Sequence, residues 1–274
     1  MAGGCGGSSA VSSAVDPVAR AAKVTELAPG FKMSVSAEIS APGPLGTINA
    51  SGTGVFDQRN QRGALSIKTD VTGHATTVDT QYSRLAVYMR LPSSQRPSLA
   101  HGKPWVKLDV RRLGAAVGIN VAALSGSGAS SNPSQFLSYL KAAAGKVIRV
   151  GSEPVRDVSS THYRATINYD RYASTVAPAE RTAASNSVAV LERVTGSHSQ
   201  VVDAWVDNQH RVRREELTYH MCVPELPYTL QIHTNLEFFD FGTQAIPEVP
   251  PSNEVADLTS QVAGKLKHIK LACH

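Results

Sequence analysis

The strictest constraint on this chain is a period of two in its apolar residues, repeated through most of its length. From Arg84 to Leu91, the residues Leu85, Val87, Met89 and Leu91 fall on one side, and Arg84, Ala86, Tyr88 and Arg90 on the other. Phe31, Met33 and Val35 alternate with Lys32, Ser34 and Ser36. Tyr163, Ala165, Ile167 and Tyr169 alternate with His162, Arg164, Thr166 and Asn168, while Tyr228, Leu230, Ile232, Leu236 and Phe238 share a face. Successive side chains of a strand point to opposite faces, so this pattern buries one face of a sheet and leaves the other in water. Residues 31–36, 47–57, 62–71, 75–82, 84–91, 104–109, 147–155, 161–170, 200–207, 211–222 and 227–240 read as strands. Turn-forming runs such as Ala41-Pro42-Gly43-Pro44 and Asp207-Asn208-Gln209-His210 separate some of them. Connections that short join antiparallel neighbours, which makes a meander.

Helical signals interrupt the strands. Pro17, with Asp16 as a cap, opens a stripe of Val18, Ala21, Ala22, Val24 and Leu27 that Pro29-Gly30 ends. Residues 111–145 are rich in Ala, Leu and Ser, and a helix after Asn132-Pro133-Ser134 carries Phe136, Leu137, Tyr139, Leu140 and Ala144. A helical insert spans residues 172–194, and a short helix is expected around 252–258. The fold class is therefore α+β: a large curved antiparallel β-sheet, a half-barrel, with helices packed on its concave face. Residues 1–15 read as a Gly/Ser/Ala tether, 16–262 as a single domain and 263–274 as a tail.

At 274 residues and 42 % hydrophobic, the chain can bury one large core. No run approaches the roughly 20 apolar residues that cross a bilayer. The formal charge is +5 and the pI about 9.2, but the basic residues are dispersed. Arg111-Arg112 and Arg211-Val212-Arg213-Arg214 are short, and Glu215-Glu216 follow the second at once. No basic run is interleaved with aromatics, so nucleic acid is not an expected partner. Charged residues on a solvated sheet face account for the excess, and an anionic membrane surface is also compatible with it.

There are three cysteines. Cys5, in Met1-Ala2-Gly3-Gly4-Cys5-Gly6-Gly7, looks like the end of a lipoprotein signal whose basic and apolar regions are missing, and is a candidate lipid anchor. Cys222 and Cys273 either pair, as in an oxidising exterior, or stay as two thiols. A bridge would close a loop of about fifty residues, contributing on the order of 4 kcal/mol.

Catalytic motifs are missing: there is no Gly-x-Ser-x-Gly, P-loop, His-Glu-x-x-His or dinucleotide fingerprint. Asp203 and Asp207 flank Trp205 on a strand and read as structural, and Gly52-Thr53-Gly54 reads as a bulge or close packing. His220, Cys222, His233, His268, Cys273 and His274 match no compact zinc spacing. Neither a metal nor another cofactor is expected.

Several stretches carry a family resemblance: 136–143, 150–158 and 161–167, Asp203-Ala204-Trp205-Val206-Asp207 with Val212-Arg213-Arg214, and Phe239-Asp240-Phe241-Gly242 followed by the proline-rich 246–251 and by 255–259. They resemble actinobacterial lipoproteins of the LppX/LprG type over roughly residues 20–260. The resemblance implies a fold like that of the LolA/LolB carriers, in which a half-barrel and helices enclose an apolar pocket for acyl chains. It further implies a non-enzymatic, lipid-anchored protein on the extracytoplasmic face of the cell membrane. The implied ligand is an acyl lipid or lipoglycan, with a membrane transporter as an optional partner. A surface lipoprotein of the same fold acting as an adaptor is the alternative. Expected cavity-lining residues are Leu85, Val87, Met89, Phe136, Leu137, Leu140, Ile167, Leu230 and Ile232.

Overall fold

The alternating segments form two antiparallel meanders that merge into one sheet. The computed structural model describes residues 17–43, 46–71, 74–116, 147–175, 178, 181–222 and 228–266. The first meander comprises β1 (Gly30–Ser40), β2 (Thr47–Asp57), β3 (Arg62–Val71), β4 (His74–Ser83), β5 (Ala86–Arg90) and β6 (Trp105–Asp109). The second comprises β7 (Ile148–Val155), β8 (Val158–Asn168), β9 (Ser199–Asp207), β10 (Val212–Cys222) and β11 (Thr229–Phe239). Pairing of β1 with β11 joins them, and β12 (Val255–Asp257) lies parallel to β6 at the edge. The result is an open, curved sheet of twelve strands in the order β12-β6-β5-β4-β3-β2-β1-β11-β10-β9-β8-β7.

The register sorts the side chains. Met33 sits between Gly54 of β2 and Phe238 of β11, and Gly54 faces Leu65 of β3, so these four positions share a face. On that face Phe31 meets Phe238 edge-on at 5.3 Å and Phe56 at 5.6 Å between ring centroids. Gly54 has no room for a side chain: a Cβ there would lie 2.8 Å from the Ala64 carbonyl and 3.0 Å from Leu65 and Phe56. The Gly52-Thr53-Gly54 motif is thus close packing on a regular strand.

Helices cover this apolar face. Helix α1 (Pro17–Glu26) buries Val18, Ala21, Ala22 and Thr25 against β9 and β10. Helices α4 (Tyr169–Thr175) and α5 (Arg181–Thr195) follow β8 and bring Tyr172, Ala184 and Val188 into the same core as Phe31, Met33, Phe56 and Val202. A smaller core of Ala100, Val106 and Ala256 lies beside α2 (Arg96–Ala100), β6 and β12, with Met89, Leu91 and Leu258 packed on it.

Three local expectations shift. Arg84 has φ of 51° in a turn, so the strand expected over 84–91 starts at Ala86 and Leu85 belongs to the turn. The insert expected over 172–194 is two helices, α4 and α5. The helix expected at 252–258 is a single 3₁₀ turn, Ser252–Glu254, followed by β12 and then α6 (Thr259–Leu266). Pro250 and Pro251 favour extended backbone, and the free edge of β6 offers hydrogen bonds that a short isolated helix would lack. The Asp257 carboxylate accepts the Thr259 N–H at 3.0 Å where α6 begins. Of residues 111–145, the structure describes only the helix α3 (Val110–Ala116); the helix expected from Pro133 lies outside the described residues.

Candidate functional site

A cavity of about 320 Å³ opens between α5 and the apolar face of β8, β9 and β10. The sheet supplies its floor: Ile167 of β8, Val202 of β9, and Leu217, Tyr219 and Met221 of β10. Leu191, Val194 and Thr195 of α5 form the roof, and Tyr169 stands at the start of α4. The alternation of β10 places Glu215 on this same apolar face, opposite Ala204 of β9 and Leu236 of β11. Glu215 is 1 % exposed, and its Oε2 has no hydrogen-bond partner among the described residues. Burial, which disfavours the charged form, pushes its carboxyl up to about 8, so the group is mostly neutral at pH 7. Burial likewise raises the Tyr169 phenol to about 12, with smaller contributions from Tyr219 and Glu192. It also raises the Tyr219 phenol, against the opposing hydrogen bond with Thr234.

Larger hollows lie on the opposite face. One of about 540 Å³ crosses β11, β1, β2, β3 and β4 and is lined by residues such as Ser34, Ser51, Thr53, Ser66, Lys68 and Asn235. Its walls are polar and partly engaged, Ser66 donating to Asp79 at 2.8 Å and Ser34 accepting from Arg156 at 2.9 Å, so an apolar ligand favours the smaller cavity. Ion pairs dominate the rest of this face. Glu237 accepts from Arg156 at 2.6 Å and from Arg214 at 2.8 Å. Burial pushes its carboxyl upward, but these two guanidiniums outweigh that and hold it below the usual carboxylate range. His162 stacks on Trp205 at 4.1 Å and bonds Asp203 at 2.7 Å, which also accepts from Arg164. The Asp207 side chain, fully buried, accepts from the backbone of Gln209 and Arg211 and from the Arg211 guanidinium, each at 2.9 Å. The two aspartates therefore serve the turn and the strand surface. The basic run is likewise engaged: Arg211 with Asp207, Arg213 over Phe241, Arg214 with Glu237.

The anticipated lining residues disperse. Ile167 lines the cavity. Ile232 and Leu230 lie on β11, opposite Tyr219 and Met221 of β10 and hence beside it. Val87 and Met89 share the apolar face at the far end of the sheet, opposite Tyr82 and Thr80, and Met89 packs on the smaller core. Leu85 is in the turn. Phe136, Leu137, Leu140, Cys5 and Cys273 lie outside the described residues. Cys222 ends β10, its Sγ 3.9 Å from the Thr229 hydroxyl. Sequence reading passed over Glu215, Leu217, Tyr219 and Met221, although extending the period of two along β10 puts all four on one face. Leu191 and Val194 are legible as apolar residues of the helical insert, but their place over the sheet depends on how α5 docks.

Of the histidines weighed as metal ligands, His220 and His233 are exposed strand residues, and His233 bonds Thr218 at 2.9 Å. Asp170, Glu192 and His198 bring ligand atoms within 4.8 Å of one another at the surface, where His198 bonds Glu192 at 2.8 Å. Among the described residues, no helix is long and apolar enough to cross a membrane.

No protein-family model matches the chain. It is 25 % identical over 245 residues to an uncharacterised 31.2 kDa protein of the rplA–rplJ intergenic region of Streptomyces griseus, covering 87 % of this chain and 74 % of that protein. Among solved structures it is similar to the Mycobacterium tuberculosis lipoprotein LppX, with a TM-score of 0.47 and 11 % identity over 85 % of this chain and 96 % of that one. It is also similar to LprF from Mycobacterium bovis, with a TM-score of 0.45 and 10 % identity over 85 % and 94 % of the two chains.

Proposed function

We propose that this chain is a non-catalytic, cell-envelope lipid-binding protein that holds the acyl part of a lipid or lipoglycan between its sheet and helices. The observation that carries this reading is the apolar cavity between α5 and the floor of β8, β9 and β10. Transfer of hydrocarbon from water into such a space is favourable by about 0.8 kcal/mol per methylene, which makes an acyl chain its natural occupant. In this reading residues 16–262 form the binding domain, Cys5 carries the lipid anchor on the extracytoplasmic side of the membrane, and Cys222 pairs with Cys273. A membrane transporter would supply or receive the cargo.

Native mass spectrometry of protein purified from its own membranes tests the proposal. We expect a co-purifying acyl lipid, and we expect Val202→Trp, which fills the cavity floor, to lose it while the protein stays folded. Protein that carries no lipid in either form would overturn the reading. Replacing Cys5 with Ala tests the anchor separately: the protein should move from the membrane to the soluble fraction, and unchanged fractionation would remove Cys5 from the scheme.

A further inference from the structure

We propose that Glu215 is the polar recognition group of the cavity, and that the ligand presents a neutral ester carbonyl to it rather than a bare alkyl chain. This rests on the acyl-binding reading and specifies which part of the ligand the cavity reads. Glu215 lines the cavity among Val202, Leu217, Tyr219 and Leu191, with one carboxyl oxygen unpartnered among the described residues. A purely structural role would favour leucine at this position, because an unsatisfied buried polar group costs stability that an apolar isostere does not. The cavity thus holds a carboxyl oxygen that the described residues leave unused.

The chemistry of that group narrows the ligand. Among the described residues no ion pair reaches Glu215, and burial governs its protonation. Kept neutral, its O–H donates to a carbonyl oxygen, whereas an ionised fatty acid would place a second acid beside it in an apolar space. An ester satisfies the carboxyl without bringing charge inside. Acyl esters of a glycerolipid and of a lipoglycan share this chemistry. Sites built to hydrogen-bond a ligand group discriminate against analogues lacking it, because the site's own group is then left unpaired.

The test uses the full purified chain and displacement of the neutral fluorophore 1-aminoanthracene by methyl decanoate or by dodecane, two ligands of similar length of which only the first has an ester. We expect the ester to bind about three- to tenfold more tightly, the worth of one net hydrogen bond. Glu215→Gln, which keeps a donor, should retain most of that ratio. Glu215→Met should bring it to one or below, with dodecane bound as well as before or better, because the ester carbonyl is then left unpaired; Glu215→Leu gives the same reading should the Met variant fold poorly. A ratio near one in the native protein, or an undiminished ratio in both apolar variants, would overturn the role of Glu215 and leave acyl binding standing. Failure of the native protein to bind either ligand would overturn acyl binding itself, and this inference with it.

Discussion

Two buried acidic side chains on neighbouring strands, Asp207 and Glu215, meet opposite surroundings on the two faces of one sheet. Asp207 is fully buried but accepts three hydrogen bonds and faces Arg211 and Arg213, so its charge is compensated. Removing it in Asp207→Ala leaves two arginines short of a partner and the 207–211 turn without its anchor. We expect a loss of about 3–5 kcal/mol in denaturant unfolding. Glu215 has no such compensation and is held neutral. Its carboxyl lies at about 8 in the fold against 4.5 in the free chain, so the folded state binds the extra proton. Its stabilising effect is full below about pH 4.5 and is lost as pH rises through about 8. Thermal stability should therefore fall between pH 5 and 8 by up to a few kcal/mol, at about 1.4 kcal/mol per unit, and Glu215→Gln should flatten that slope. The two tyrosine phenols beside the cavity titrate above this window. A slope identical in the native protein and the Gln variant would refute the assignment.

At the scale of elements, the docking of α1 depends on one hydroxyl. Pairing of β9 with β10 slips between Val212 and Arg214, which leaves the Val212 N–H outside the regular ladder. Thr25 of α1 accepts that N–H at 2.8 Å and donates to the Ala21 carbonyl at 2.8 Å. Both residues are wholly buried, so Thr25→Val, which keeps the shape and drops the oxygen, orphans a buried donor. A destabilisation of about 1–3 kcal/mol is expected by chemical denaturation, and a change within 0.5 kcal/mol would show that water replaces the hydroxyl. Of the stripe legible in the sequence, Val18, Ala21 and Ala22 are buried, whereas Val24 is only partly buried and Leu27, past the end of the helix, is exposed. The role of Thr25 was not legible, because the bulge it serves lies 187 residues away. The same holds for the cavity: its β10 floor follows from alternation, whereas its roof follows from the docking of α5.

For the molecule as a whole, the segment from Phe241 to Pro251 carries the chain from the middle of the sheet to its edge, where β12 covers β6. Arg62 bonds the Pro247 carbonyl at 3.0 Å, Lys103 bonds the Val255 carbonyl at 2.9 Å, and the Asp109 N–H bonds the Thr259 hydroxyl at 2.9 Å. An open β6 would be an edge for unwanted pairing, and this strand blocks it. Ala256 belongs to the smaller core, separate from the aromatic one, so we expect this edge to open without global unfolding. Ala256→Asp places an unpaired carboxylate there. Limited proteolysis should then cut first within residues 243–258, with the melting of the main core little changed; simultaneous loss of both would show that the two cores unfold together.

Most of the local geometry was legible in the residue order: the alternation along the strands, many of the turns though not the one at Arg84-Leu85, and a two-faced antiparallel sheet with helices on its apolar side. Alternation is a property of neighbouring residues, so it survives reading one residue at a time. Long-range packing alone settles that β1 pairs with β11 to fuse two meanders, that residues 255–257 become a strand, and that Glu215, rather than Asp203 or Asp207, holds a buried carboxyl oxygen without a partner among the described residues. Those outcomes depend on which surfaces meet across long stretches of chain, and burial and hydrogen-bond satisfaction are settled only when they do.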